Sequence, residues 1–226
     1  MPSDQSFFDK LLLLPLFQGI GRGEFMEIAE RIRIGFYKTN HEQVLVEQDE
    51  FCDVLIFVLR GEVCISRVSD NHTYTLTEWN QQPMVVQPEA LFGLNTRYTR
   101  RYATTHAAEY IKVDKAAVRD ILFYYPTFRI NYLNLVSTQM QQASRLLWRP
   151  MAQTLGERFV RFVVARSVRP AGRKDLEIKM EHLSDELLDT RLNVSRMLHT
   201  FADNGLIEMK RRHILIPSLE KLLQGV

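Results

Sequence analysis

The sequence predicts an α+β protein in which a β-rich N-terminal domain, one long helix and a small C-terminal domain follow one another along the chain. Three observations support this prediction. Short runs rich in β-branched and aromatic residues, typical of strands, fill residues 36–113. Residues 127–148 contain neither glycine nor proline and predict a single long helix. From residue 155 onward, helical and strand-like patterns alternate over short distances.

Composition is that of an ordinary globular chain. The 226 residues are 46% hydrophobic and 25% charged, enough for one large domain or two modest ones. The formal net charge of +2 is too small to indicate a nucleic-acid partner by itself, so that prediction depends on local features. Cys52 and Cys64 lie in apolar stretches without CxxC spacing, which argues against a disulfide framework, a metal site and an iron–sulfur cluster.

The first apolar stretch, residues 11–17, is interrupted by Pro15. It is too short to span a bilayer, and it lacks the basic start and the small-residue cleavage site of a signal peptide. We therefore expect a cytoplasmic protein that has no membrane partner.

Six strand-like runs separated by turn signals predict a β-sandwich or barrel. The runs are residues 42–46, 54–59, 63–68, 74–78, 84–86 and 110–113. An amphipathic helix over residues 23–34 precedes them, and its apolar stripe is expected to lie on the barrel. That stripe consists of Phe25, Ile28, Ala29 and Ile32.

A narrow apolar seam runs along the long helix at alternating spacings of three and four residues. It consists of Leu133, Val136, Met140, Ala143 and Leu147. Such a seam is typical of a helix that pairs with a second helix, and polar neighbours such as Asn134 and Gln141 argue against burial on several sides. We therefore predict a homodimer interface. The alternative is a stripe that packs on the chain's own barrel.

A helix over residues 155–168 and a strand over residues 176–180 begin the C-terminal domain. The next segment predicts two short helices joined by a bend around residues 188–190, with Asp189 or Thr190 as the cap of the second helix. Their shared apolar face would hold residues 183, 187, 188, 194, 197 and 198. This is the pattern of a helix-turn-helix, in which the second helix presents side chains to base edges.

The second helix, over residues 190–199, carries Arg191, Asn193, Ser195 and Arg196 outside its apolar face. Arginine pairs with guanine and asparagine pairs with adenine in the major groove, so these residues predict base reading. The alternative is a solvated helix with ordinary surface arginines.

Two short apolar runs, residues 206–209 and 213–216, follow a turn at Asn204-Gly205. The basic residues between them are Lys210, Arg211 and Arg212. This pattern predicts a two-stranded wing whose tip contacts phosphates beside the groove.

Residues 183–196 (LSDELLDTRLNVSR) resemble the helix-turn-helix signature of the Crp/Fnr family of bacterial regulators, with Arg191 and Arg196 in register. The resemblance covers nearly the whole chain. It implies an N-terminal double-stranded β-helix (jelly-roll) sensor domain over residues 1–125, a long dimerisation helix over residues 126–152, and a C-terminal winged helix-turn-helix domain over residues 153–226. It further implies a two-fold dimer that reads a pseudo-palindrome in double-stranded DNA, with base contacts from Arg191 and Arg196, and RNA polymerase as a partner. The neighbouring candidates for DNA contact are Thr190, Leu192, Asn193 and Ser195.

Two positions depart from the family signature. Leu188 stands where the family has its turn glycine, so the turn has to form without a residue that readily takes a positive φ. Leu192 stands where some members read cytosine with an acidic residue, and it could contact a thymine methyl group instead.

The family's cyclic-nucleotide cassette corresponds to residues 91–104, where Gly93, Arg101 and Ala103 are recognisable. Leu94 replaces the glutamate that accepts the ribose hydroxyl, and an unpaired hydroxyl costs about 1–3 kcal/mol. Tyr102 replaces a small hydroxyl residue. Cyclic AMP is therefore disfavoured, and we expect a different small effector or none.

An arginine cluster in this cassette, Arg97, Arg100 and Arg101, predicts an anion site; the alternative is a solvated hairpin. Ser144 lies near where the family's long helix closes the effector pocket.

Other classes of protein find little support. Pro2 and His72 match the ligand types of haem-based family members, but no local motif accompanies them, which argues against haem. His41, His72 and His106 are too isolated for a cupin-like metal enzyme, and no catalytic motif occurs. A non-DNA signalling module is the remaining alternative, and the Arg191–Arg196 face with the basic wing argues against it.

Overall fold

The computed structural model describes residues 9–32, 35–148 and 150–225, and the chain divides into two units. Unit 1 comprises Met1–Val63 and Gln81–Leu147, and unit 2 comprises Cys64–Asn80 and Trp148–Val226. Pro2 lies outside the described residues, as does the end of the helix predicted over residues 23–34.

The helices are α1 Arg22–Arg31, α2 Lys115–Asp120, α3 Pro126–Leu147, α4 Leu155–Arg166, α5 Met180–Glu186, α6 Arg191–Asp203 and α7 Leu219–Gln224. The strands are β1 Gly35–Thr39, β2 Gln43–Val46, β3 Val54–Arg60, β4 Val63–Val68, β5 Tyr74–Asn80, β6 Met84–Val86, β7 Arg101–Thr104, β8 Ala108–Asp114, β9 Lys174–Ile178, β10 Glu208–Lys210 and β11 His213–Ile216. Single 3₁₀ turns form at Pro15–Phe17, Pro88–Ala90 and Leu122–Tyr124.

Unit 1 is built around an antiparallel sheet in the order β1-β8-β3-β6, and it also contains the antiparallel pair of β2 and β7. Strand β3 lies inside this sheet, and five consecutive residues of it are buried, which is why its sequence is apolar without alternation. The turn from β3 to β4 uses Gly61 at φ +107°, where a Cβ atom would lie 2.7 Å from the Ala107 carbonyl oxygen. Only glycine fits this turn.

Helix α3 buries one side against unit 1 through Phe128 and Tyr132, and the Tyr132 hydroxyl donates to the Pro88 carbonyl. The predicted seam faces elsewhere. Leu133, Met140 and Leu147 are exposed, with Met140 at 76% of its full accessibility. These three residues therefore do not pack on the chain's own barrel.

The strands of unit 2 follow the order β10-β11-β9-β5-β4, so a hairpin from the first half of the chain joins strands from its C-terminal third. The core of unit 2 combines α4, α6 and this sheet through Phe159, Val163, Leu176 and Leu198. Helix α4 begins with a reciprocal cap, in which Thr154 accepts from the Glu157 N–H at 3.0 Å and Glu157 accepts from the Gln153 N–H at 2.7 Å.

The elements differ from the prediction in several places. Strands β1 and β7 and helix α7 lie in segments without a predicted element, and β9 ends at Ile178 because α5 begins at Met180. The placement of Leu188 on the buried face is wrong. Its side chain is 85% exposed, because the residue forms the turn between α5 and α6.

The domain bounds 1–125, 126–152 and 153–226 stay predictions. The two units of the structure divide the chain differently, because residues 64–80 join the C-terminal strands. Among the described residues, no helix is both long and apolar enough to cross a membrane.

Candidate nucleic-acid interface

Helix α6 has two distinct faces. Val194, Leu198 and Phe201 are buried in the core of unit 2. Thr190, Arg191, Leu192, Asn193 and Arg196 are exposed and Ser195 is half-buried, so the predicted base-reading residues share one accessible surface. The helix ends at Asp203, after which Gly205 takes φ +68° and Leu206 N–H donates to the Phe201 carbonyl.

The guanidinium groups of Arg191 and Arg196 make no hydrogen bond or ion pair within the part of the chain that the structure describes. Arginine side chains on protein surfaces usually find a carboxylate or carbonyl when one is near. Both groups are therefore available to donate to an external acceptor, and a base edge or a phosphate oxygen is one that a guanidinium can bind in a bidentate manner.

Asn193 differs from these arginines because its side chain is already engaged. Its Nδ2 donates to Asp189 Oδ1 at 2.8 Å, and its backbone N–H donates to Thr190 Oγ1 at 3.2 Å. Thr190 is therefore the N-cap of α6, one of the two caps expected from the sequence. Bidentate pairing with adenine would require Asn193 to release Asp189.

The turn between α5 and α6 forms without glycine. Leu188 adopts φ +50°, in the left-handed region that costs a residue with a Cβ atom about 1–2 kcal/mol. Arg158 of α4 stabilises this turn, since its Nη1 donates to the carbonyl oxygens of Leu187 at 2.7 Å and Leu188 at 3.2 Å.

The same guanidinium continues to the start of α6. Arg158 Nη2 donates to Asp189 Oδ2 at 2.7 Å, and Asp189 Oδ1 accepts from the Thr190 N–H at 2.8 Å. Hydrogen bonds from Asn193 and the Thr190 N–H, with the charge of Arg158, hold the pKa of Asp189 below its usual range. Asp189 therefore stays ionised at neutral pH, where its negative charge also favours the N-terminus of α6.

Strands β10 and β11 form the predicted wing, with Lys210 paired opposite His213. Lys210, Arg211 and Arg212 are exposed at its tip. Arg212 adopts φ +67°, and its carbonyl oxygen accepts from the Ile178 N–H at 2.8 Å, which ties the wing tip to the end of β9. The tip presents three cations on a rigid turn, an arrangement suited to phosphate contacts.

The residues proposed for an effector do not share one environment. Leu94 is fully exposed, Gly93 and Ser144 are exposed, and Tyr102 is buried in β7. Arg101 pairs with Glu47 at 3.3 Å, and Arg97 donates to the Asp49 carbonyl and lies over the Phe51 ring. Arg100 is half-buried, and its Nε has no partner among the described residues. Two of the three arginines of the predicted anion site are therefore engaged within the protein.

No group of three or more His, Cys, Asp or Glu side chains within the described ranges could hold a metal ion. Cys52 is buried and Cys64 is half-buried, and the two do not form a disulfide with each other.

Residues 151–224 match the Crp-like helix-turn-helix domain family. No curated protein matches the sequence. Among solved structures, the chain is similar to the Thermus thermophilus catabolite activator protein, with 16% identity over 93% of this chain and 99% of that one and a TM-score of 0.52. It is also similar to the sensor domain of the transcriptional regulator DNR from Pseudomonas aeruginosa, with 13% identity over 68% of this chain and 97% of that one and a TM-score of 0.51.

At these identities the two structures show a shared fold. Together, the fold, the match of the C-terminal domain and the accessible face of α6 define a DNA-binding transcription regulator. The resemblance seen in residues 183–196 is confirmed for the C-terminal domain, because residues 151–224 match the Crp-like helix-turn-helix domain family. The domain that residues 151–224 match is a DNA-binding domain, not a catalytic one.

Sequence reasoning missed Arg158, which lies 30 residues before Leu188 along the chain. No motif marks such an interaction, because it forms only when α4 packs beside the turn. The available signal was the leucine at position 188, where the family signature has glycine. A leucine in such a turn requires a partner that stabilises the turn.

Leu188→Gly should raise the free energy of unfolding by about 0.5–1 kcal/mol, because relief of the left-handed strain exceeds the added entropy of the unfolded chain. Urea unfolding measures the change. Leu188→Ala is the matched control, since it removes the same exposed side chain but keeps the Cβ atom, and it should give no gain. If Leu188→Gly is less stable than the unchanged protein, the backbone at Leu188 is not strained.

Arg158→Lys should lower the free energy of unfolding by about 1–2 kcal/mol and weaken operator binding, because an ammonium group cannot reach the two carbonyls and Asp189 together. The net charge is unchanged, so the loss would reflect geometry. Arg161→Lys on the same helix is the control and should bind DNA normally. Equal stability and affinity of the two variants in urea unfolding and gel-shift titrations would show that Arg158 is dispensable.

Proposed function

We propose that the chain is a homodimeric, sequence-specific regulator that places α6 in the major groove of a pseudo-palindromic operator. The observation that carries this proposal is the pair of exposed guanidinium groups of Arg191 and Arg196, which have no partner within the described ranges, on a helix whose opposite face is buried. A guanidinium reads guanine through its O6 and N7 atoms, and each such bidentate contact discriminates by about 1–3 kcal/mol.

The neighbouring residues complete the proposed readout. Leu192 is 59% exposed and contributes an apolar contact to a thymine methyl group. Ser195, Thr190 and Asn193 supply hydroxyl and amide groups, with Asn193 in use once it has released Asp189. Lys210, Arg211 and Arg212 of the wing contact phosphates and set the register of the helix on the duplex.

The dimer interface is proposed along the seam of α3. Leu133, Met140 and Leu147 are apolar and exposed, Ala143 is exposed and Val136 is half-buried, so a second copy of the helix would bury surface that a single chain leaves in water. Two-fold pairing of this kind places the two recognition helices on half-sites roughly 34 Å apart.

Control is proposed to come from a small effector that is not cyclic AMP. The side chain of Leu94 cannot accept a hydrogen bond from a ribose hydroxyl. That side chain is also fully exposed, which supports this part of the proposal. Gly93, Arg100, Arg101, Tyr102 and Ser144 remain the candidate effector residues. Within the arginine cluster of the cassette, the Nε of Arg100 is a buried donor that has no partner among the described residues. RNA polymerase is the proposed protein partner, and the cytoplasm is the proposed place of action.

A non-DNA signalling module is the competing function. A signalling module would not explain the basic wing or the exposed arginines of α6. The match of residues 151–224 to a DNA-binding domain family also disfavours it.

Arg191→Ala and Arg196→Ala should each relax sequence preference by about 1–3 kcal/mol, because an alanine cannot reach the base edges. Arg212→Ala should instead weaken binding to all sequences and lower the slope of log K against log salt by about one, because one phosphate is no longer neutralised. Fluorescence anisotropy on operator and scrambled DNA at several salt concentrations separates the two patterns. Unchanged specificity in the double arginine variant would exclude these residues as readers.

Met140→Glu should convert the dimer into monomers, because it places a charge in the apolar seam of both copies. Multi-angle light scattering gives the mass. Thr138→Glu adds the same charge on the opposite, exposed face of α3 and should leave the dimer intact. A dimer that survives Met140→Glu would move the interface away from this seam.

A further inference from the structure

Residues 64–80, which form all of the β4–β5 hairpin except its first residue, lie in unit 2 although their sequence falls within the predicted sensor domain. Strand β5 pairs antiparallel with β9 over five residue pairs, from Tyr74 opposite Ile178 to Glu78 opposite Lys174. The other side of β9 pairs with β11 of the wing. Without the hairpin, β9 would be an open edge strand with unpaired backbone groups.

The inward face of this strand pair is buried. Leu76 lies opposite Leu176 in the core of unit 2, and beside them Glu78 lies opposite Lys174. The Lys174 ammonium donates to Glu78 Oε2 at 2.7 Å, with side chains only 1% and 5% exposed. A buried charge that loses its partner is strongly unfavourable, so each of these two residues requires the other.

Glu78 also holds the connection between α4 and β9. Its second oxygen, Oε1, accepts from the Val168 N–H at 2.7 Å. The Lys174 ammonium donates in addition to the Ala171 carbonyl at 2.8 Å. Next along the chain, Arg169 donates to Asn80 Oδ1 at 2.7 Å. The Glu78 carboxylate therefore fixes the position of the segment that leads from α4 into β9.

A second contact connects the hairpin with the helix-turn-helix. Arg166 Nε donates to the Tyr74 hydroxyl at 2.6 Å, and Arg166 Nη2 donates to Glu186 at the end of α5, at 3.0 Å. The guanidinium lies 3.8 Å from the centre of the Phe162 ring. Tyr74 therefore contacts the residue that holds the first helix of the motif.

We propose that the β4–β5 hairpin is a structural part of the DNA reader, and that Glu78 and Tyr74 are positioning residues for the wing and the helix-turn-helix. This inference rests on the DNA-reading role proposed above. Because both ends of the hairpin continue into unit 1, the reader is assembled from two separated pieces of the chain.

The first test is Glu78→Gln in the full chain, with Asp70→Asn as the control. Both remove one negative charge from the hairpin, and Asp70 is exposed at its turn. Loss of a negative charge alone strengthens DNA binding, so a weaker Glu78→Gln variant would have the opposite sign. We expect Glu78→Gln to weaken operator binding about tenfold or more and Asp70→Asn not to weaken it.

The salt dependence separates positioning from partial unfolding. If the wing no longer reaches the DNA backbone, the slope of log K against log salt falls by about one for each phosphate that is no longer bound. Partial unfolding would lower the apparent affinity and leave the slope unchanged. An unchanged slope, or unchanged affinity, in Glu78→Gln would overturn the proposal.

A cross-link tests the same idea if Glu78→Gln does not fold. Thr75 and Glu177 lie directly opposite each other on β5 and β9, where Cβ atoms are about 4.5–5.5 Å apart and a disulfide can form. Oxidised Thr75→Cys/Glu177→Cys should bind the operator as tightly as its reduced form. If the cross-linked protein cannot bind DNA, the conformation in which β5 pairs with β9 is an inhibited one, and the proposal is overturned.

Amide hydrogen exchange on the unmodified chain gives a readout that does not require DNA. We expect the amides of β5 to open with the same free energy as those of β9, because they belong to one cooperative unit. Independent opening of β5 would overturn the inference. If the amides of β5 and β9 open with the same free energy but the chain binds no DNA, the proposed function is wrong. The structural attachment of the hairpin to unit 2 would still be supported.

Discussion

A left-handed backbone conformation at Leu188 sets the direction in which α6 leaves α5, and hence which residues of α6 reach solvent. Glycine would adopt this conformation at no steric cost, whereas leucine needs external support. Arg158 supplies it by binding two carbonyls of the turn and the carboxylate of Asp189. The accessible face with Arg191 and Arg196 follows from this one turn, because Asp189 and Thr190 then organise the first turn of α6.

Unit 2 separates its stabilising charges from its binding charges. Arg158, Arg166 and Lys174 are occupied by carboxylates and carbonyls inside the unit. Arg191, Arg196 and the three cations of the wing tip are exposed, and the two arginines of α6 have no partner among the described residues. A net charge of only +2 is therefore compatible with a DNA-binding surface, because the exposed cations available for DNA are concentrated on α6 and the wing.

Local patterns predicted the elements well where periodicity or turn chemistry was strong. The long helix, the helix-turn-helix and the wing were predictable, because apolar spacing, Gly205 and a basic tip mark them in the sequence. Strand β7 was missed because residues 91–104 were assigned to a nucleotide cassette. The roles of Arg158 and Glu78 were not predictable, since each depends on partners 29 to 96 positions away that only folding brings together.

Selection of binding sequences from random duplex DNA by the full chain, followed by methylation protection of the selected operator, tests base reading by a paired α6 most directly. The proposed readout predicts two-fold related half-sites, each with guanines protected at N7 in the major groove, centred about 10 base pairs apart. Selected DNA with no two-fold motif, or an operator whose guanines stay reactive when the protein is bound, would contradict it.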